Sequence, residues 1–289
     1  MRLMLAMPGN EKMGALLAAR LGCELGQLET RRFPDGESYV RLLSDVEGKQ
    51  VGIVCTLAQP DEQFLRLIFT ATTARELGAA SIALVAPYLA YMRQDKRFKE
   101  GEAVSSAPFA GLISGVFDGL VTVDPHLHRR RNLGEIFSVP TYVARAAPLL
   151  GDWISQNVDN PLIVGPDSES EQWVSAVAAR ASAPHVVLEK QRFGDRDVSI
   201  AIPDLASWVG REPVLIDDIV SSGRTMIEAA RGFVNRGFAK PYCLAVHALF
   251  AEDSYAELRQ LSAGVVTTDA IPHPSNGISV AQLLADAFS

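Results

Sequence analysis

The chain has no run approaching the ~20 consecutive apolar residues that a membrane-spanning helix needs, which excludes a membrane role of that kind. It has only three cysteines, Cys23, Cys55 and Cys243, widely spaced and with no C-x-x-C among them. An odd number without close spacing excludes a disulfide framework and the common zinc patterns. Buried thiols in a reducing compartment fit better, so a cytoplasmic location is expected. Neither G-x-x-x-x-G-K-[ST] nor G-x-G-x-x-G occurs, so the Walker-type and dinucleotide fingerprints are missing. Net charge is −7, which argues against general attraction to nucleic acid or membrane surfaces. The apolar stretch at residues 1–10 is about one strand long, too short for the core of a signal peptide.

What the chain does have is a globular composition, 48% hydrophobic and 21% charged over 289 residues, enough for one large or two ordinary domains. Short apolar runs alternate with stretches of helical periodicity. Strands are expected near 3–7, 38–42, 51–56, 81–86 and 120–123, with helices near 61–77 and 108–116 between them. After Pro140 the pattern restarts, with a helix near 145–154, a strand at 162–164, a helix from about 168, and strands near 186–189, 198–200 and 242–247. Helices through Leu258 and near 280–288 close it. Such alternation implies parallel sheets covered by helices. The restart implies two similar α/β domains, 1–143 and 144–289.

One stretch organises the second half: Val214-Leu215-Ile216-Asp217-Asp218-Ile219-Val220-Ser221-Ser222-Gly223-Arg224-Thr225. It opens as a buried-strand run and ends in two acids and a small polar turn. Met226, Ile227, Ala230, Phe233 and Val234 then recur at helical spacing, so a helix starts near Gly223. A strand, a tight turn and a helix N-terminus form an anion site, because free N–H groups and the helix dipole converge there. Carboxylates beside it suit a sugar phosphate, accepting from ribose hydroxyls or holding Mg²⁺. A helix cap followed by solvated turn acids would explain the same residues.

Five further stretches fit a nucleotide-and-phosphate enzyme. Phe33-Pro34-Asp35-Gly36-Glu37 sets an aromatic face for a base beside carboxylates for amino or hydroxyl donors, though a plain turn would also look like this. Arg93-Gln94-Asp95-Lys96-Arg97 follows a strand end and can neutralise a polyphosphate, or form a solvated mixed-charge loop. In Asp124-Pro125-His126-Leu127-His128, extended chain would bring Asp124, His126 and His128 to one face. Imidazole prefers softer metals than Mg²⁺, and Arg129-Arg130-Arg131 follows. Gly165-Pro166-Asp167 leaves Asp167 where a metal-linked carboxylate would sit, while Ser168 and Glu171 match a capping box. Lys190-Gln191-Arg192 puts two cations at i and i+2, suited to a transferring phosphoryl group or to an exposed, charged edge strand, and the following Phe193-Gly194-Asp195 allows a mobile lid.

The 214–225 stretch resembles the phosphoribosyl-pyrophosphate-binding signature of type I phosphoribosyltransferases. The ordered series F-P-D-G-E, P-Y-L-A-Y-M-R-Q-D-K-R, D-P-H-L-H, G-P-D, K-Q-R and D-D-I-V-S-S-G-R-T closely resembles the ribose-phosphate pyrophosphokinases, which make phosphoribosyl pyrophosphate. D-P-H-L-H, A-V-H-A-L-F and T-T-D-A-I-P-H-P look most like the branch common in archaea. The resemblance implies two tandem type I phosphoribosyltransferase-like domains, each a mostly parallel sheet flanked by helices. It further implies ATP and ribose 5-phosphate as substrates, Mg²⁺ as cofactor, and a homo-oligomer built from dimers.

By that resemblance, Phe33, Asp35 and Glu37 reach the adenine and ribose of ATP from a neighbouring subunit. Arg93, Gln94 and Asp95 form the ATP pocket, and Asp124 and His126 fall on the D-x-H of the Mg–ATP site. Asp167 matches a second metal-linked acid, and Lys190 and Arg192 the catalytic pair. Asp217 and Asp218 take the ribose hydroxyls, while Ser221, Ser222, Gly223, Arg224 and Thr225 wrap the 5-phosphate. Two positions depart from the common pattern. Ser221 stands where many members carry an acid, though the archaeal-like branch also uses serine; Arg224 stands where glycine is usual, either adding a charge for the phosphate or crowding the turn, which puts affinity for ribose 5-phosphate in question. A phosphoribosyltransferase acting on a base leaves F-P-D-G-E and R-Q-D-K-R without a task. A catalytically silent regulatory relative should have lost the Lys190–Arg192 pair or the D-x-H.

Overall fold

The computed structural model describes residues 1–127, 129–166, 170–192, 198–201 and 206–288, with 189–192, 198–201 and 206 described in backbone only. The chain divides into two compact units. In the first, β1 (Arg2–Ala6), α1 (Glu11–Leu21) and β2 (Glu24–Leu25) are followed by an antiparallel ribbon of β3 (Leu28–Arg32) and β4 (Ser38–Leu42). Then come β5 (Gln50–Val54), α2 (Pro60–Glu76), β6 (Ser81–Ala86), α3 (Ser106–Ser114), β7 (Gly119–Val123) and β8 (Thr141–Ala144). The main sheet is parallel throughout, in the order β2-β1-β5-β6-β7-β8. Leu3, Met4 and Leu5 are fully buried on successive positions of β1, as expected of a strand covered on both faces.

The second unit repeats this plan element for element. After α4 (Ala147–Asn157) come β9 (Pro161–Gly165), α5 (Glu171–Ala181) and β10 (His185–Val187), then an antiparallel ribbon of β11 (Glu189–Arg192) and β12 (Val198–Ala201). They lead to β13 (Glu212–Val220), α6 (Arg224–Asn235), β14 (Tyr242–Ala248), α7 (Ser254–Leu261), β15 (Gly264–Thr268) and β16 (Asn276–Ile278). The parallel sheet runs β10-β9-β13-β14-β15-β16. In both units the ribbon interrupts the chain between the second and third sheet strands, so F-P-D-G-E at residues 33–37 and K-Q-R at 190–192 occupy equivalent insertions. In both, successive strands first step one way and then the other. That reversal opens a crevice at the strands' carboxyl ends, the place where open α/β sheets take ligands. In the second unit it falls between β9 and β13.

The last helix, α8 (Ala281–Phe288), belongs with the first unit, which gathers Met1–Ala144, Ala270–Pro272 and Val280–Ser289. Residues 144–289 therefore do not stay together. α8 packs on α1, β7 and β8 and buries Ala281, Leu284 and Ala285. A side chain at Gly52 would come within 2.9 Å of the Phe288 ring. Thr56 Oγ1 donates to Ala270 O at 2.8 Å, tying the returning segment to the loop after β5.

α6 carries the core of the second unit. Met226, Ile227, Ala230 and Phe233 recur at i, i+1, i+4 and i+7 and are all buried against Leu215, Leu162 and Cys243. Burying Phe233 completely is worth about 1.5–3 kcal/mol. Val234, which the periodicity assigns to the same face, is instead 37% exposed. No helix among the described residues is long and apolar enough to cross a membrane.

Candidate functional site

β13 is longer than the sequence implies. The acids are not beyond its end but inside it: the ladder to β14 continues from Asp217↔Ala245 through Ile219↔His247 to Val220↔Ala248. Asp217 and Asp218 are half-buried, and Asp218 N–H donates to Asp217 Oδ1 at 2.9 Å. Both residues are thereby carried on a sheet strand rather than on a loose turn.

The turn follows at once. Gly223 takes the left-handed conformation, φ 67° and ψ −4°, and caps α6, its carbonyl accepting from Ile227 N–H at 2.8 Å. An L-residue is disfavoured there. Arg224, by contrast, is the first helical residue, is exposed, and has no positive φ. The position therefore does not need glycine's freedom, and the arginine does not crowd the turn. Ser222 is exposed, with Ser221 and Thr225 half-buried beside it. A twelve-residue helix starting here directs its dipole and its unpaired first-turn N–H groups at the turn.

The carbonyls of this segment point elsewhere. Val220 O accepts from Leu249 and Phe250 N–H, both at 3.0 Å. Ser221 O accepts from Ala251 N–H at 2.9 Å and from Ser254 Oγ at 3.2 Å. Lys190 and Arg192 lie in β11, opposite Ile200 and Val198 of β12. Asp167, Ser168 and the lid at 193–195 are outside the described residues.

In the first unit, Phe33–Glu37 is the tip of the β3–β4 ribbon. Phe33 N–H donates to Glu37 O at 2.8 Å, Gly36 N–H to Phe33 O at 2.9 Å, and Glu37 N–H to Asp35 Oδ1 at 3.2 Å. Phe33 is 38% exposed and meets Tyr39 edge-on at 6.0 Å. The Arg31 guanidinium lies 4.6 Å from the Phe33 ring and 4.1 Å from Tyr39, a cation–π arrangement that stiffens the tip.

The loops after β6 and β7 come together. Arg129 Nη1 pairs with Asp95 Oδ1 at 2.9 Å, and the Asp95 side chain is only 6% exposed. Arg129 also lies 5.5 Å from the Phe98 ring, with Lys96 Nζ 5.0 Å from it. Glu102 gathers the rest of the loop: its carboxylate accepts from Phe98 and Lys99 N–H at 2.9 Å each and from Gln94 Nε2 at 3.4 Å. Those donors, Lys99 N–H first, hold its carboxyl below the usual range. The Tyr91 hydroxyl donates to Asp61, and that bond pushes its pKa up to about 12. Arg93 is exposed and forms no hydrogen bond or ion pair among the described residues.

Asp124 follows β7 with φ 31°, a strained conformation for a non-glycine residue. It is 4% exposed, and its N–H donates to Ala144 O at 3.0 Å. His126 is half-buried two residues on, while His128 lies outside the described residues. Among the described residues no three His, Cys, Asp or Glu side chains cluster as a metal site. Mg²⁺ does not need one: it commonly takes one or two carboxylates and completes its shell with water and substrate phosphates. The buried, oxygen-bearing Asp124 fits that requirement.

Two contacts carry information the sequence did not display. Arg129 had only its place in a basic run as a signal, and Ser254, which reaches the 221–225 turn from another helix, had none. A separate open cleft of about 660 Å³, lined by Ala6, Pro8, Glu11, residues 25–30 and Leu43, contains none of the residues singled out above.

Residues 2–116 match the N-terminal domain of ribose phosphate pyrophosphokinase, and residues 133–282 match the phosphoribosyl transferase domain. The chain is 36% identical to the ribose-phosphate pyrophosphokinase of Methanopyrus kandleri over 99% of its own length and 98% of that protein's. It is 35% identical to that of Methanothermobacter thermautotrophicus, over 96% and 97%. Among solved structures, the phosphoribosylpyrophosphate synthetase of Mycobacterium smegmatis superposes with a TM-score of 0.86 at 22% identity, covering 99% of this chain and 96% of that one. At that identity the superposition speaks for the two-unit fold alone.

Proposed function

The chain belongs to the ribose-phosphate pyrophosphokinase family, and from that membership we propose that it transfers pyrophosphate from ATP to the C1 hydroxyl of ribose 5-phosphate. The C1 oxygen attacks the β-phosphorus in line, the bond from that phosphorus to the α,β-bridging oxygen breaks, and AMP leaves. The C1 hydroxyl proton is lost, and the product is phosphoribosyl pyrophosphate. The observation that carries this reading is the near full-length likeness to relatives of that name, combined with a strand–turn–helix anion site at residues 217–225.

The roles of individual residues are those the family resemblance implies, and their chemistry is compatible with them. Asp217 and Asp218, fixed in β13, accept from the ribose hydroxyls. The N–H groups of 221–225 and the α6 dipole hold the 5-phosphate, and exposed Arg224 adds a positive charge there. Exposed Arg93 can fork onto ATP phosphate. Lys190 and Arg192 neutralise charge on the group in transit. Phe33, Asp35 and Glu37, on a ribbon tip stiffened by Arg31, hold the adenosine of a neighbouring copy in a homo-oligomer. Gln94 and Asp95 shape the nucleotide pocket from a loop held by Glu102 and Arg129. Asp124, with His126 and Asp167, would hold Mg²⁺, which would supply charge neutralisation on the polyphosphate.

The test is direct. Purified protein given ATP, Mg²⁺ and ribose 5-phosphate should form AMP and phosphoribosyl pyrophosphate in equal amounts. No AMP under these conditions overturns the reading, and release of pyrophosphate from supplied phosphoribosyl pyrophosphate, dependent on a free base and without ATP, would replace it with base transfer.

A further inference from the structure

A loop that holds an anion with its N–H groups has a second requirement. Its carbonyl oxygens carry partial negative charge, so they must face away from the ligand and be satisfied there. In the 220–223 segment that task falls on the chain between β14 and α7. Ser221 O uses both lone pairs, one on Ala251 N–H at 2.9 Å and one on the Ser254 hydroxyl at 3.2 Å. Ser254 is 7% exposed, so this hydroxyl is within the fold and not on its surface. A Cβ at Gly223 would stand 3.2 Å from Ser254 Cβ, so the two segments are in close contact at the turn itself.

Ser254 is in turn held in place. Its N–H donates to Ala251 O at 3.2 Å, and Leu258, one helical turn on, is fully buried. The neighbouring Tyr255 ring stands edge-on to His273 at 4.6 Å and packs on Phe250 at 5.1 Å. The His273 ring shares a hydrogen with Ser275 Oγ at 2.7 Å. The start of α7 is therefore a rigid block from which one hydroxyl reaches the turn.

We propose that Ser254 is a positioning residue for the 221–225 turn, keeping the Ser221 carbonyl turned away from the 5-phosphate so that the turn's N–H groups face it. This rests on the assignment of ribose 5-phosphate to that turn. Ser254→Ala removes one neutral hydrogen bond and frees one carbonyl lone pair. The expected result is a rise of about 3- to 10-fold in KM for ribose 5-phosphate, the range such a bond supplies. KM for ATP should not move and kcat should stay within about twofold, because the interaction is uniform in ground and transition states. Ser254→Thr keeps the hydroxyl and should restore KM.

The experiment is steady-state kinetics of wild type, Ser254→Ala and Ser254→Thr, with ribose 5-phosphate binding to each measured by calorimetry without ATP. Weaker binding in the alanine variant, recovered by threonine, supports the proposal. Equal ribose 5-phosphate affinity in wild type and Ser254→Ala overturns it and leaves the reaction assignment standing. An equal rise in both KM values also overturns it, since general loosening of the fold would then be the cause. Absence of ribose 5-phosphate binding in the wild type overturns the assignment itself, and this inference with it.

Discussion

Replacing Gly223 by alanine tests the turn before α6 through stability rather than activity. The backbone at this position has φ 67°, and an L-residue in that region costs about 1–2 kcal/mol. The added methyl would sit 3.2 Å from Ser254 Cβ and 3.3 Å from Ile227 Cδ1, closer than ordinary van der Waals contact, and both neighbours belong to helices packed in the core. Overpacking of this kind costs about 1 kcal/mol or more. Against this, alanine lowers the entropy of the unfolded chain by an amount worth about 0.4–1 kcal/mol. The net is a destabilisation of about 2 kcal/mol. For a unit of this size that is roughly 5–10 °C in Tm, read by differential scanning calorimetry. Gly111 is the control: it is helical, exposed, has no positive φ, and an added methyl meets nothing within 4 Å. Gly111→Ala should hold or raise Tm, since alanine is favoured over glycine in a helix by roughly 0.5–1 kcal/mol. A Gly223→Ala protein melting within 1 °C of wild type would refute the left-handed, closely packed turn.

Lys190→Ala should reduce kcat for AMP formation by ~10²–10³, the usual loss on removing one transition-state donor, with an unchanged melting curve; unaltered turnover removes Lys190 from the mechanism. Arg129→Ala leaves the Asp95 carboxylate, 6% exposed, without its guanidinium. Because the arginine itself is 42% exposed, solvent screening limits the cost to about 1–2 kcal/mol. A double-mutant cycle with Asp95→Asn, read as KM for ATP, should therefore give a coupling near 1 kcal/mol, and a coupling under about 0.3 kcal/mol would show that the pair does not shape the nucleotide loop. Burial pushes the Cys55 thiol up to about 12 and the Cys243 thiol further still. Iodoacetamide at pH 8 should thus label half-exposed Cys23 first in the native protein, and labelling of Cys55 or Cys243 at the same rate, seen by peptide mass spectrometry, would contradict their burial.

The alternation of apolar runs and helical periods revealed both parallel sheets, because strands such as β1 and β5 are buried on both faces and declare themselves by composition. β3 escaped notice for the opposite reason. Leu28–Arg32 reads L-E-T-R-R, is mostly exposed, and owes its extended form to pairing with β4. The short edge strand β8 gives no more signal than a loop. β13 was legible as far as Ile216, but its continuation through two acids depends on the ladder to β14, a long-range pairing that local composition does not encode. The turn at 221–225 was readable because a small polar cluster before a helical period has few other interpretations. What holds that turn was not: Ser254 is remote in sequence, and a single serine has no pattern. The destination of α8 was equally hidden, since an amphipathic helix shows that it has a buried face but not which sheet covers it.

The return of α8 has a consequence for synthesis. A ribosome delivers residues 281–288 after the strands of both units, yet they cover part of the sheet built from residues delivered well before them. During translation the amino-terminal unit must wait, its Gly52–Phe288 seat bare, while the carboxyl-terminal unit has all its strands out and can close ahead of it. A chain severed near residue 144 thus yields a leading fragment that lacks its covering helix.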